Sequence, residues 1–262
     1  MFNAPVIAEA IPHWIAEYFK ENGPAAPCII GMSGGKDSTI TATCCVNALG
    51  KQRVIGILMP DGQQKDLQDA KEVCNFLGIK YIEYNIGGIT TQQYELMKRL
   101  PYRDLKTPND VVRYNNPARI RMATLYMIAN QLGGRVANTC NMSETYVGYD
   151  TAWGDQCGDF APLQNLTVTE LRQLGKALRL PEAFVYKTPH DGMCGRTDEE
   201  RFGFTYEVLD EYLRGGVILD EIQTVIENMH NRAAFKNSRV KIPSFPYYPQ
   251  KSRKLFPEPD KD

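Results

Sequence analysis

The sequence predicts an α/β fold, a doubly wound parallel sheet with helices on both faces. Three observations carry this. Short apolar runs alternate with segments of helical period from residue 6 to residue 139, joined by short turns. The run at 53–60 is β-branched and continuous rather than alternating, as in a strand buried on both sides. The run at 27–30 opens into a glycine-rich turn, GMSGGKDST at 31–39, and then into a helix-permissive segment at 38–49. In such sheets a ligand sits at the carboxyl ends of the strands, where the strand order switches, and the turn fits that position.

The elements follow in order. A helix over 6–20 places Ile7, Ile11, Trp14, Ile15, Tyr18 and Phe19 at spacings of three and four, one apolar stripe expected to cover the sheet or to meet a second subunit. His13 beside it reads as interfacial or solvated, and residues 21–24, ENGP, end the helix. Beyond the loop helix, 53–60 is the second strand, 66–77 a helix stopped by Gly78, and 80–86 the third strand. Helices follow over 89–100 and 116–132, the latter with Ile120, Ala123, Leu125, Met127 and Ile128 as mostly core. Arg119 and Arg121 stand near its predicted start, where a cation opposes the helix dipole; this hints that at least one meets an anion, while an exposed ion pair is the commoner explanation for an arginine. The fourth strand is 134–139, and 140–163 reads as an active-site loop rich in Gly, Asp, Asn and aromatics. Thr167 with Glu170 predicts a capping box for a helix over 167–179. Residues 181–194 read as loop, and 198–213 and 217–232 as two closing helices. The proline-rich tail, 243–262, is expected to be an extended, partly disordered arm, leaving 1–242 as a single domain.

The chain has 262 residues, enough for a sizeable core, and its net charge of −1 provides no basic field for a nucleic-acid backbone. Small or nucleotide substrates are therefore favoured over RNA, and no nucleic-acid or membrane partner is expected. The N-terminus lacks a basic region before an apolar stretch and no apolar run approaches the length of a membrane span, so a cytoplasmic location is expected. Seven cysteines, without a C-x-x-C pair or a histidine at metal-ligand spacing, read as free thiols.

The chemistry begins in the loop. A strand-to-helix turn aims backbone N–H groups and the positive helix end at one spot, where an anion belongs. Gly31, Gly34 and Gly35 let the backbone approach a phosphate, and Ser33, Ser38 and Thr39 offer hydroxyls. Asp37 would repel a phosphate unless a cation lay between, which suggests Mg²⁺. The kinase-type loop G-x-x-x-x-G-K-[ST] is excluded, because Lys36 is followed by Asp37 and the glycine spacing is one residue short. The order S-G-G-x-D-S instead resembles the pyrophosphate loop of the N-type ATP pyrophosphatases. Glu144, Asp150, Asp155 and Asp159 supply acids in the later loop, each also readable as a turn or cap. Glu144, five residues past Thr139 at the strand end, is well placed to complete a metal site begun by Asp37.

The motifs SGGKDS at 33–38, MPDGQQ at 59–64, NPARIRM at 116–122, NTCNMSE at 138–144, GYDTAWGDQCGDFAPL at 148–163, KTPHDGM at 187–193 and GFTYEVLDEYL at 203–213 come in an order and spacing that resembles the ammonia-dependent NAD synthetases. The resemblance runs over roughly residues 5–243 and implies a Rossmann-like fold of the adenine-nucleotide alpha-hydrolase type. It implies ATP binding by Gly31, Met32, Ser33, Gly34, Gly35, Lys36, Asp37, Ser38 and Thr139, with Asp37 and Ser38 catalytic. Asp37 and Glu144 would hold Mg²⁺, and Arg119, Asp159 and Lys236 would contact deamido-NAD. The implied reaction amidates deamido-NAD with free ammonia through an acyl adenylate, in a homodimer; the alternative within the superfamily is a tRNA-modifying or other adenylating enzyme. The chain departs from the family pattern at Ala152 and Val168, where many members carry lysine, at His190, where they carry threonine or serine, and at Phe235, where they carry histidine. Lys187, Arg196 or a partner subunit could supply the missing charge.

Overall fold

The computed structural model describes residues 2–64, 66–186, 197–237, 242–249 and 251–253. The elements run α1 (Ala4–Asn22), β1 (Cys28–Gly31), α2 (Lys36–Leu49), β2 (Val54–Leu58), α3 (Leu67–Leu77), β3 (Lys80–Glu83), α4 (Gly87–Arg99), α5 (Asp110–Leu132), β4 (Arg135–Val136), α6 (Met142–Val147), α7 (Val168–Ala177), α8 (Glu182–Val185), α9 (Asp198–Phe202), α10 (Tyr206–Leu213) and α11 (Asp220–Asn237). The four strands are parallel in the order β3-β2-β1-β4. The chain winds outward from β1 to β3 and then crosses back to place β4 on the other side of β1. The switch point therefore lies between β1 and β4, and the glycine-rich turn leaves the sheet there.

Side chains of β1 alternate between two covered faces. Cys28 and Ile30 join a core with Ile11, Ile15 and Phe19 of α1 and Ile40 of α2, while Ile29 joins Ile57, Ile120 and Leu125 on the other side. The apolar stripe of α1 is consumed in this way, against α2 and α7, so it does not offer itself to a second subunit. A third cluster, with Met142, Tyr146, Tyr206, Leu209 and Tyr212, joins α6 to α10 and α11. Cys28, Cys44, Cys45, Cys74 and Cys140 are buried free thiols and Cys157 is half-buried, in agreement with expectation. Cys194 and His190 lie outside the described residues.

Several boundaries differ from expectation. Helix α5 begins at Asp110, where the Asn109 side chain accepts the Val112 N–H at 3.0 Å, and Pro117 lies inside it. The proline is tolerated here within a long, packed helix. Arg119 and Arg121 are consequently mid-helix, and the dipole gives no reason for either to meet an anion. On the same helix Ala123 and Met127 face outward, because Ile120, Thr124, Leu125 and Ala129 define the buried stripe. The expected helix 198–213 is two helices, broken at Gly203 (φ +80°) and restarted by Thr205, whose hydroxyl accepts the Val208 N–H. The fourth strand shortens to Arg135–Val136, because Ala137 next pairs with Phe160 in an isolated bridge. Helix α8 occupies part of the loop expected over 181–194, and α11 runs five residues past the expected end at 232. The proline-rich segment starts out docked. Ala161 donates to the Pro243 carbonyl at 2.9 Å, and Phe245 is buried in the main core.

Candidate active site

The loop between β1 and α2 is held by its own side chains. The Ser33 hydroxyl accepts the Gly35 N–H at 3.2 Å and lies 3.2 Å from the Ser38 hydroxyl, and Ser38 and Thr39 both donate to the Gly35 carbonyl, at 3.1 and 2.8 Å. Thr39 is fully buried, so its hydroxyl shapes the turn and is not presented outward; Ser33 remains exposed. Gly34 alone among the loop glycines needs its residue type for conformation, at φ +77°.

The first turn of α2 carries Lys36 and Asp37 toward α6. The Lys36 ammonium, on a side chain only 4% exposed, lies 2.8 Å from Oδ2 of Asp37 and 3.7 Å from Oε1 of Glu144. Asn141, fully buried, caps α6 by accepting the Glu144 N–H at 3.0 Å through Oδ1, and its Nδ2 donates to Oδ1 of Asp37 at 3.1 Å. One amide thus fixes the Asp37 carboxylate and the helix start that delivers Glu144. Sequence reasoning missed Asn141; an Asn three residues before an acid just past a strand end was the available signal. Burial first, then the neighbouring Asp37, pushes Glu144 up to about 8 despite the opposing pull of Lys36. Burial pulls the Lys36 ammonium down, yet Asp37 and Glu144 outweigh it and hold it above the ordinary lysine value. Below them the Tyr206 ring lies 5.8 Å from the Lys36 ammonium, and its hydroxyl donates to Asp198 at 3.1 Å.

Beside the loop is a cavity of about 380 Å³. Met59, Met122 and Leu125 give it an apolar floor, and Gln64, Arg121 and Asp155 a polar rim; Gly31, Met32, Ser33 and Thr139 line it as well. A flat heteroaromatic ring fits this combination. Arg121 enters from α5, its Nε donating to the Met59 carbonyl at 2.9 Å, and burial holds its pKa below the usual arginine value. Asp155 accepts the Thr151 N–H at 2.6 Å; it is exposed to the cavity mouth yet hemmed in by protein, which together with Asp150 raises it to about 6.

The remaining expected site residues stand elsewhere. Arg119 is exposed and donates to the Ala152 carbonyl at 3.1 Å. The Asp159 carboxylate accepts the Tyr126 hydroxyl at 3.2 Å and the Val136 N–H at 2.8 Å, joining the loop to β4. Lys236 is clasped by Asp150, Oδ1 at 3.1 Å, and by the carbonyls of Gly148 and Asp150, while Phe235 is exposed. Val168 is fully buried at the start of α7, its N–H donating to the Ser143 hydroxyl at 3.0 Å. Lys187 and Arg196 lie outside the described residues.

A phosphate-type loop at the switch point of a parallel sheet, with acids from α2 and α6 meeting beside an apolar slot, defines a nucleotide-binding α/β protein of the adenine-nucleotide alpha-hydrolase type. The comparisons narrow this. The NAD synthase family model matches residues 7–243, and the chain belongs to that family. It is 40% identical over 201 residues to the NH(3)-dependent NAD(+) synthetase of Pyrococcus furiosus, covering 76% of this chain and 75% of that one. Among solved structures, it superposes on NMN synthetase from Francisella tularensis with a TM-score of 0.82 at 30% identity, over 94% of this chain and 100% of that one. The NH3-dependent NAD synthetase from Campylobacter jejuni gives a TM-score of 0.70 at 29% identity, over 92% and 99%.

Proposed function

We propose that this chain is an ammonia-dependent NAD synthetase, an ATP-consuming ligase that amidates deamido-NAD. The observation that carries this is the Asp37–Asn141–Glu144 arrangement at the phosphate-type loop of a NAD synthase family member. Gly31 to Ser38 cradle the triphosphate of ATP, Thr139 and the apolar slot receive its adenosine part, and Arg121 adds a cation that the sequence left undecided. Arg119, Asp159 and Lys236 belong to the deamido-NAD side, the last two by fixing the loop that borders it. The nicotinate carboxylate attacks the α-phosphorus and pyrophosphate leaves; ammonia then attacks the acyl carbon and AMP leaves with the bonding electrons. A carboxylate is a poor electrophile, so the adenylate supplies the leaving group. Asp37 and Ser38 act by holding the departing phosphates in line, and no covalent protein intermediate is needed.

Asp37 and Glu144 suit Mg²⁺. Both present hard oxygen donors, and with both ionised the one ammonium of Lys36 between them does not balance their charge. Bound there, the metal would neutralise the phosphates. Apolar side chains exposed on α4 and α5, Leu96, Val111 and Met127, are available to a homodimer interface. No described helix is long and apolar enough to cross a membrane, which is compatible with a cytoplasmic enzyme.

A second acceptor has a specific observation behind it. The superposition on NMN synthetase, with the absence of lysine at Ala152 and Val168, favours testing nicotinate mononucleotide as well. Purified enzyme with Mg·ATP and ammonia, given each acceptor in turn and assayed for AMP and for NAD or NMN, decides between them. NAD formed with the higher kcat/KM supports the first reading, and NMN the second. AMP release with neither acceptor overturns both. Glutamine replacing ammonia in an ammonia-free preparation overturns the choice of nitrogen donor.

A further inference from the structure

We propose that Lys36 is a built-in counter-cation of the Asp37–Glu144 pair, which orders the two carboxylates and competes with a divalent cation for them until the phosphates of ATP draw its ammonium away. This rests on the reading that the pair holds a divalent cation. Both oxygens of Asp37 already have N–H partners: Oδ1 the Asn141 amide at 3.1 Å, Oδ2 the Lys36 ammonium at 2.8 Å. Each oxygen keeps a second lone pair, but a divalent cation on Oδ2 would lie against the Lys36 ammonium, a like charge, so one neighbour must give way. Asn141 is not free to leave, because it is fully buried and its own Oδ1 caps α6 through the Glu144 N–H. Lys36 is different. Its charge sits on a flexible four-carbon stem, and an ammonium is a point charge with no required fork geometry.

The same side chain also touches the second proposed ligand, Glu144 Oε1, at 3.7 Å, so its departure frees both acids at once. With both acids ionised, a single positive charge between them leaves one negative charge over, which a divalent cation would satisfy and Lys36 does not. The lysine nonetheless has the advantage of being tethered, which gives it a high effective concentration at the site. Its new position is provided by its own place in the chain. Lys36 is the first residue of α2, next to Gly34 and Gly35, so phosphates seated in that turn lie within reach of its ammonium. Metal entry and nucleotide entry are thereby coupled. The metal alone must expel a tethered cation, whereas Mg·ATP brings both the replacement cation for the acids and a replacement anion for the lysine.

Mn²⁺ binding followed by the loss of the free-ion electron paramagnetic resonance signal tests this on the full chain, with and without α,β-methylene ATP. Wild type is expected to bind Mn²⁺ weakly alone and much more tightly with the analogue. Lys36→Met, neutral and of similar length, should bind Mn²⁺ without nucleotide roughly tenfold or more tighter than wild type, since a nearby like charge has been removed. The analogue should then add less. Should Lys36→Met fail to fold, as judged by circular dichroism, Lys36→Gln serves in its place. Nucleotide-free affinity equal to or weaker than that of wild type overturns the inference. If instead Asp37→Asn leaves the Mn²⁺ affinity with the analogue unchanged, the assignment of the acids to a metal has failed, which is a distinct result.

Discussion

The Lys236 ammonium lies 3.1 Å from Oδ1 of Asp150, a carboxylate whose side chain is 1% exposed, and it also donates to the Gly148 and Asp150 carbonyls. The last helix is thus bolted to the loop that follows α6. Removing the lysine leaves a buried carboxylate without its counter-charge, which is costlier than losing a surface pair. Lys236→Met is expected to lower stability by on the order of 2–3 kcal/mol, read from urea denaturation, since the lysine itself retains some solvent contact. A residue that served only to touch substrate would leave the urea midpoint unmoved.

Two arginines on one helix should separate in their effects. Arg121 enters the cavity and is pinned to the Met59 carbonyl, whereas Arg119 is exposed and reaches the Ala152 carbonyl. Arg121→Met is expected to raise KM for ATP by roughly 10- to 100-fold, the value of one or two charge-assisted hydrogen bonds. Arg119→Met should leave KM for ATP close to wild type and act on the acceptor. Steady-state kinetics with each substrate varied in turn distinguishes these outcomes, and equal effects on ATP would show that the cavity does not receive it.

The strand-loop-helix around Gly31 to Thr39 was legible because a buried strand, glycines and a helix are each written locally, as was the Thr167–Glu170 capping box, formed as expected. Asp37 and Glu144, expected near one another, both contact the Lys36 ammonium, at 2.8 and 3.7 Å. What the sequence did not show depends on partners far along the chain. Asn141 meets Asp37 across 104 positions, and Lys36 turns from a loop residue into a cation between two acids only once α6 is packed. The start of α5 was misplaced because residues 110–115 carry little apolar periodicity, and the Asn109 cap, whose side chain accepts the Val112 N–H, marks the true start. That Arg121 and not Arg119 lines the cavity was beyond a sequence reading, since it depends on the roll of α5 against β1 and β4.

The raised acids make a prediction about pH. Glu144 stands at about 8 in the folded chain against an ordinary 4.5, and the buried Asp210 stands at about 6. Over these intervals the folded state binds more protons than the unfolded one, so stability falls as pH rises. The upward shift of Lys36 acts only above its ordinary value of 10.5 and does not oppose this. In chelator, Tm should fall between about pH 6 and about pH 8.5, and Glu144→Gln should flatten most of that slope. A slope unchanged in Glu144→Gln would show that Glu144 already titrates as an ordinary carboxylate in the folded chain.

The loop glycines are not equivalent, and their substitution should show it. At Gly34 the backbone has φ +77°, and a Cβ there would sit 2.7 Å from the Ala70 nitrogen and 2.9 Å from the Asp69 Cβ, both in the first turns of α3. Neither neighbour is the end of a flexible side chain, so the loop or the helix must move. At Gly35, by contrast, φ is −83° and the nearest atom is the Ser33 hydroxyl at 3.3 Å. Gly31 meets only the Met59 and Leu125 side-chain ends, at 3.4 and 3.5 Å. Gly34→Ala is therefore expected to cost roughly 2–4 kcal/mol, the sum of a left-handed residue and an overpacked contact, and to weaken ATP binding by distorting the cradle. Gly35→Ala should fold with near wild-type stability. Gly31→Ala should also fold, with its loss confined to ATP affinity because the added methyl narrows the slot. Tm measurements and nucleotide titration on the three variants check the order, and a Gly34→Ala protein as stable as Gly35→Ala would show that the loop does not press against α3.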